Sequence, residues 1–188
     1  MTAPGSECAP GYFCLKNSTS ASPDGADGTG WPCHAGHYCP QGTTVQRLCP
    51  QGTFNNYTKG ESVDDCENCT AGFHCPSSGL TSPKGPCSPG YYCPGGDTTA
   101  DSVPCDVGHY CVSPFTDQSP CASGSYQDES ARSSCKVCPA GFVCNATHGP
   151  VVNPNQYACP RGHYCPNGTK YGEEHPCPKG RFGKLGEG

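Results

Sequence analysis

The sequence predicts a small disulfide-rich fold: an elongated tandem array of short cysteine-rich modules, built of turns and two-stranded ribbons, with almost no helix. Three observations carry that expectation. Cysteine fills 19 of 188 positions. Glycine and proline fill 26 and 21 more. A C-x-x-G motif opens each of ten similar stretches along the chain.

Cysteine density comes first. Hydrophobic residues make up 33% of the chain, and that share already counts the cysteines and tyrosines. So little apolar matter does not fill one large core, and cross-links must take its place. Disulfides in this number persist only in an oxidising compartment, so the chain reads as secreted or as an ectodomain. The glycine and proline content rules out long helices and favours turns.

The repeat gives the architecture. C-x-x-G opens modules at Cys8, Cys33, Cys49, Cys69, Cys87, Cys105, Cys121, Cys138, Cys159 and Cys177, spaced 16 to 25 residues apart. Two residues after the glycine stands Tyr or Phe in eight copies: Phe13, Tyr38, Phe54, Tyr92, Tyr110, Tyr126, Tyr164 and Phe182. In the other two, His74 and Val143 follow Phe73 and Phe142. Such self-similarity is the mark of a repeat protein, in which each unit is stabilised by its neighbours. One disulfide and one or two rings do not offset the backbone entropy of ordering a module, so a lone module is expected to be floppy and a stacked one ordered.

Seven modules are short, with a second cysteine six positions after the first: Cys14, Cys39, Cys75, Cys93, Cys111, Cys144 and Cys165. Three are long, and place Asn55, Gln127 and Gly183 there instead. In two of these a cysteine arrives later, at Cys66 and Cys135. If every module closes on itself, the pairs are Cys8–Cys14, Cys33–Cys39, Cys49–Cys66, Cys69–Cys75, Cys87–Cys93, Cys105–Cys111, Cys121–Cys135, Cys138–Cys144 and Cys159–Cys165. Cys177 is then unpaired, its partner expected beyond residue 188. A shifted frame, 14–33, 39–49, 66–69 and onward, leaves Cys8 over instead. It demands bridges within "CENC" and "CKVC", the tight ring of redox motifs, so the self-closing frame is preferred. Interleaved pairing satisfies the count as well, and sequence alone does not choose among these.

The modules suggest boundaries: a lead at 1–7; two short modules at 8–48 with an insertion at 15–32; a long and three short modules at 49–120. A long and two short modules follow at 121–176, then the start of a further module at 177–188. The opening "MTAPGSECAP" has neither a charged nor an apolar signal region, so a signal was removed or the sequence is a piece of something longer.

Five of eight asparagines lie in N-x-[S/T] sequons: Asn17, Asn56, Asn68, Asn145 and Asn167. These are the expected glycosylation sites, with covalent N-glycans shielding the thin apolar surface. Ser-Pro pairs offer a compositional hint of O-linked sugar. No cofactor is expected otherwise. Structural zinc favours C-x(2–4)-C in matched pairs, whereas C-x5-C dominates here, and His37, His109 and His163 read as turn residues. "DGADG" at 24–28 hints at a calcium loop but lacks the remaining acidic ligands. A serine elbow and a His–Asp pairing are both missing from the sequence, so no catalytic residue and no enzyme activity is expected. The only Trp, Trp31, reads as a packing anchor where the insertion rejoins the array, or as a ligand hot spot.

The stretches "CSPGYYCPGG", "CPRGHYCPNGT" and "CPQGTF…CENCTAGFHC" resemble the ephrin-receptor-like cysteine-rich repeats. More distantly the chain is similar to tumour necrosis factor receptor and EGF-like modules. The resemblance spans roughly residues 8 to 182. It implies a secreted, disulfide-bonded tandem repeat of the kind found in receptor ectodomains, surface proteins and extracellular matrices. The run of short C-x5-C modules departs from the receptor pattern and shifts the balance away from receptor ligands.

Two functional readings follow. The first is a structural extracellular glycoprotein, a disulfide-stapled rod that forms or decorates a filament, appendage or surface coat. Its partners would be further copies of itself or sister repeat proteins. The second is a ligand-binding ectodomain segment of a receptor or adhesion protein, with a protein ligand on the irregular stretch 14–33 or 144–159. The net charge of −5, with no basic cluster, argues against nucleic acid. No apolar run approaches the ~20 residues that span a bilayer, so no membrane insertion is expected of this segment.

Overall fold

The computed structural model describes residues 7–114 and 117–183. The N-terminal lead, apart from Glu7, and residues 184–188 of the last module lie outside the described residues. Internal contacts divide the chain into two units, residues 1–86 with 93–100, and residues 87–92 with 101–188. Both are built by the same local rules.

The turn is the primary element. In Cys8-Ala9-Pro10-Gly11-Tyr12, the Tyr12 N–H donates to Ala9 O at 3.2 Å, and Gly11 takes φ 80°. This is a type II turn, with proline at its second position and glycine where φ must be positive. The same closing bond recurs in all ten modules, and the ten glycines lie between φ 78° and 91°.

After the turn each module sends out a short strand that pairs with the residues just before the next module. In the first unit these ribbons are β1 (Tyr12–Cys14) with β2 (Gly30–Pro32), and β3 (His37–Tyr38) with β4 (Arg47–Leu48). They continue with β5 (Thr53–Phe54) and β6 (Glu67–Asn68), then β7 (Phe73–His74) and β8 (Gly85–Pro86). The second unit holds β9 (Tyr91–Tyr92) with β10 (Val103–Pro104), β11 (His109–Tyr110) with β12 (Ser119–Pro120), and β13 (Ser125–Tyr126) with β14 (Lys136–Val137). Single bridges, Phe142 to Ala158 and His163 to Pro176, replace ribbons in the last two pairings. All are antiparallel. Among the described residues there is no α-helix, only two 3-10 turns at Val63–Asp65 and Pro154–Gln156.

The register explains the prolines. Tyr12 stands opposite Pro32, while Cys33 N–H bonds Gly11 O at 2.8 Å and Leu15 N–H bonds Thr29 O at 2.7 Å. Alternation along an antiparallel pair then places Tyr12 and Pro32 at a non-hydrogen-bonded position, where a missing N–H costs nothing. Pro86, Pro104, Pro120 and Pro176 occupy the same place in their modules.

Successive modules are joined by a second backbone bond. The N–H of each turn glycine donates to the carbonyl six residues into the following module: Gly11 to Cys39, Gly52 to Cys75, Gly90 to Cys111, Gly124 to Cys144. A third relation reaches one module further. A Cβ built on Gly11 would lie 2.8 Å from Lys59 O, and one on Gly52 would lie 2.6 Å from Gly96 O. Glycine therefore answers two demands at once there, the turn angle and the close approach of another module's backbone.

The core is distributed. Phe13 packs on Cys33 and Cys39 with Trp31 beside it, and Phe54 on Cys69 and Cys75. In the second unit Tyr126 packs on Cys138 and Cys144, and Val143 on Cys159 and Cys165. In these four modules the residue before position six thus covers the disulfide cysteines of the next module. This relation shares burial between neighbours, each ring contributing on the order of 1.5–3 kcal/mol.

Candidate functional site

The structure joins Cys8 to Cys14, Cys33 to Cys39, Cys49 to Cys66, Cys69 to Cys75, Cys105 to Cys111, Cys121 to Cys135, Cys138 to Cys144 and Cys159 to Cys165. Cys87 and Cys93 are disulfide-bonded as well. Cys177 is the free cysteine and is half-buried. The sulfurs of "CENC" and "CKVC" are all bonded outside those motifs, so neither is a redox pair.

Two residues of the long modules have a role that sequence reasoning missed. Asn55 and Gln127 stand at position six, where short modules carry a cysteine, and are 0% and 1% exposed. Asn55 Nδ2 donates to His37 O at 3.3 Å and its Oδ1 accepts the Tyr57 N–H at 3.0 Å. Gln127 Nε2 donates to Ser134 O at 2.7 Å and its Oε1 accepts the Glu129 N–H at 3.1 Å. A buried amide thus ties down position six in modules whose closing cysteine comes later, at Cys66 and Cys135. The available signal was a primary amide in two modules at a position that the seven short modules give to cysteine.

In the first long module Ser62 caps the 3-10 turn, and Asp65 returns to accept the N–H groups of Ser62 and Glu61 at 3.0 and 2.6 Å. These two backbone donors hold the Asp65 carboxyl below its ordinary value. In the other long module Lys136 pairs with Asp128 and Glu129 and Arg132 pairs with Glu129, all on the surface, where such pairs contribute little.

The insertion 15–32 is organised by Trp31. Its ring stacks on Phe13 with centroids 5.7 Å apart, and Gly25 lies so close to the indole that a side chain there would collide with it. The carboxylates of "DGADG" are used locally. Asp24 accepts the Ala26 N–H, and Asp27 accepts the N–H and hydroxyl of Thr29, which lowers its pKa. His37, His109 and His163 each set Nδ1 against the carbonyl two residues earlier, at 3.0, 3.2 and 3.3 Å. Among the described residues no three His, Cys, Asp or Glu side chains converge on a metal-sized site.

The asparagines of the sequons are spread over both units. Asn17, Asn56, Asn68 and Asn167 are exposed and Asn145 is half-buried. Asn167 Oδ1 accepts the Ala140 N–H at 2.8 Å, tying its loop to the preceding module. Asn145 Oδ1 accepts the N–H of Thr147 at 2.9 Å and the Thr147 hydroxyl.

Clefts open where the repeat is irregular. In the first unit a polar one of about 340 Å³ lies between the start of the insertion and the next module, with Glu7, Leu15, Asn17, Ser20 and Thr43 in its lining. In the second unit an apolar one of about 420 Å³ is walled by Val143, Asn145, His148, Tyr157 and Pro160. The 3-10 turn at Pro154–Gln156, capped by Asn153, delivers Tyr157 to that wall, and Val143 N–H bonds Tyr157 O at 2.9 Å.

The chain matches no protein-family model. No curated protein matches it either.

Proposed function

We propose that the chain is a structural extracellular glycoprotein, a disulfide-stapled repeat that forms or decorates a filament, appendage or surface coat. The observation that supports this best is the regular bond from each turn glycine to the following module, which recurs at nine junctions from Gly11–Cys39 to Gly162–Gly183. Such regularity holds neighbours in one fixed relation and leaves no module specialised for chemistry. The bonded cysteines belong to an oxidising compartment. Among the described residues no helix is long and apolar enough to cross a membrane. On this reading the protein is not an enzyme, carries N-glycans, and has copies of itself or sister repeat proteins as partners. Its kinship would be with ephrin-receptor-like and EGF-like cysteine-rich repeats.

A second reading, a ligand-binding ectodomain segment, draws on the two clefts at irregular segments. Secretion of the glycosylated chain from a eukaryotic host, followed by electron microscopy and light scattering over a concentration series, separates the two. Ordered end-to-end assemblies support the structural reading. A chain that stays monomeric at every concentration, and binds another surface protein through residues 14–33 or 144–159, sinks it.

A further inference from the structure

We propose that the apolar cleft beside Asn145 is the seat of that residue's own N-glycan. The first N-acetylglucosamine, linked to Nδ2, lies in the cleft with the apolar face of its ring over Tyr157. The inference rests on the extracellular glycoprotein reading and names the ligand of one site within it.

Three observations converge. The first is the cleft itself. Tyr157 is 55% exposed, and Val143 below it is 8% exposed and packed on Cys159 and Cys165. Pro160 and Ala158 complete an apolar wall. An open aromatic ring on an apolar floor is unfavourable in water and is stabilised by any cover that brings carbon against it. The volume of about 420 Å³ falls within the ~300–1,000 Å³ of small-molecule clefts.

The second is the position of the acceptor. Asn145 belongs to the cleft lining and opens the sequon Asn145-Ala146-Thr147. A sugar on Nδ2 is therefore tethered at the cleft edge and needs no affinity of its own to be held there. The polar cleft of the first unit makes a useful contrast. It also borders a sequon, at Asn17, but is lined largely by Ser18, Ser20, Thr43 and Thr44 and gives a sugar ring no aromatic face.

The third is the side-chain hydrogen bonding. Asn145 Oδ1 is engaged by the N–H and hydroxyl of Thr147. That fixes the plane of the amide and leaves Nδ2, the atom that carries the sugar, without a protein partner among the described residues. Both bonds survive glycosylation, because the linkage consumes one Nδ2 hydrogen and leaves Oδ1 untouched. Transfer in the secretory lumen forms the bond from sugar C1 to Nδ2. It breaks the bond from C1 to the diphosphate oxygen of a lipid-linked oligosaccharide donor, and the proton from Nδ2 leaves with the released lipid diphosphate.

The test uses the chain secreted from a eukaryotic host, with each sequon mapped by glycopeptide mass spectrometry. One portion is trimmed to a single N-acetylglucosamine and another is stripped of sugar entirely. Nitration of Tyr157 by tetranitromethane and the thermal midpoint are then compared, alongside the N145Q and N56Q variants. The expected result is an occupied Asn145 and Tyr157 nitration several-fold slower in the single-sugar form than in the stripped form or in N145Q. The midpoint is expected to be higher by about 2–4 °C with the sugar present, and N56Q should leave Tyr157 as protected as before. If N145Q does not fold, the single-sugar and stripped forms of the unaltered chain decide the matter. Equal Tyr157 reactivity in all forms overturns the proposal, as does an empty Asn145 when other sequons carry glycan. Protection of Tyr157 in N145Q by a co-purifying ligand overturns it too. Absence of sugar from every sequon overturns the glycoprotein reading along with it.

Discussion

The carbonyl of Asn55 accepts the N–H of Gly36 at 2.8 Å, in the place where the carbonyl of Cys39 accepts the N–H of Gly11 at the same distance. Module joining is thus a backbone property, indifferent to whether the residue at position six carries sulfur. What changes with the residue is how the loop behind it is held. Short modules place their second disulfide cysteine there, whereas the modules at Cys49 and Cys121 place a buried amide there and take their disulfide partner from further along, at Cys66 and Cys135.

Asn55→Ala is therefore expected to cost about 1–3 kcal/mol, because Tyr57 N–H and His37 O lose their partner at a partly buried position. Gln127→Ala should behave alike through Ser134 and Glu129. The neighbouring exposed Asn56→Ala should stay within roughly 0.5 kcal/mol. Chemical denaturation of the three variants checks the ranking; equal stabilities would remove the stapling role of the buried amides.

The turn glycines separate angle from approach. Gly52 and Gly162 have φ 81° and 80°, but a Cβ on Gly52 meets Gly96 O at 2.6 Å, whereas one on Gly162 meets no described atom within 4 Å. Gly162→Ala should cost about 1–2 kcal/mol, the expense of a left-handed alanine. Gly52→Ala should cost more and should loosen the Gly96 N–H, which now bonds Cys69 O at 2.9 Å. Hydrogen exchange at Gly96 reads this directly. An unchanged exchange rate in Gly52→Ala contradicts it.

Acid should act on the first long module through Asp65. Its carboxyl is held below its ordinary 3.8 by the N–H groups of Ser62 and Glu61. A lowered folded value means that the stabilisation is complete above pH 3.8 and is lost as pH falls through the lower value. Exchange of the Ser62 and Glu61 amides should accelerate relative to their intrinsic rates only below that point. Asp65→Asn should abolish the transition. Solvent screens this partly exposed group, so the effect should stay local.

Reduction should remove the fold. Among the described residues, the buried hydrophobic ones beyond cysteine are Phe13, Phe54, Val143 and Val151. That interior is too small to hold the chain once its cross-links are open. Excess dithiothreitol should expand the hydrodynamic radius to that of an unfolded chain. Without reductant, iodoacetamide should add one group, at Cys177. Retained compactness after complete reduction would refute the view that sulfur replaces an apolar core.

The sequence by itself determined the module and its turn. C-x-x-G recurring with an aromatic two residues on leaves glycine as the residue able to hold φ near +80°, and the prolines before the next cysteine forbid helix. Those are local constraints, settled by the covalent chemistry of single residues. Position six was visible as an exception in three modules, but not the amide stapling of Asn55 and Gln127, because His37 lies in the preceding module and Ser134 comes back to Gln127 only when the loop folds. Only the tertiary structure decided that Phe13 covers the disulfide of the following module, that Gly52 must admit the backbone of Gly96, and that Tyr157 comes to stand beside Asn145. Each is a contact between residues far apart along the chain. It exists only once neighbouring turns are stacked, and no periodicity in the sequence encodes which atoms then meet.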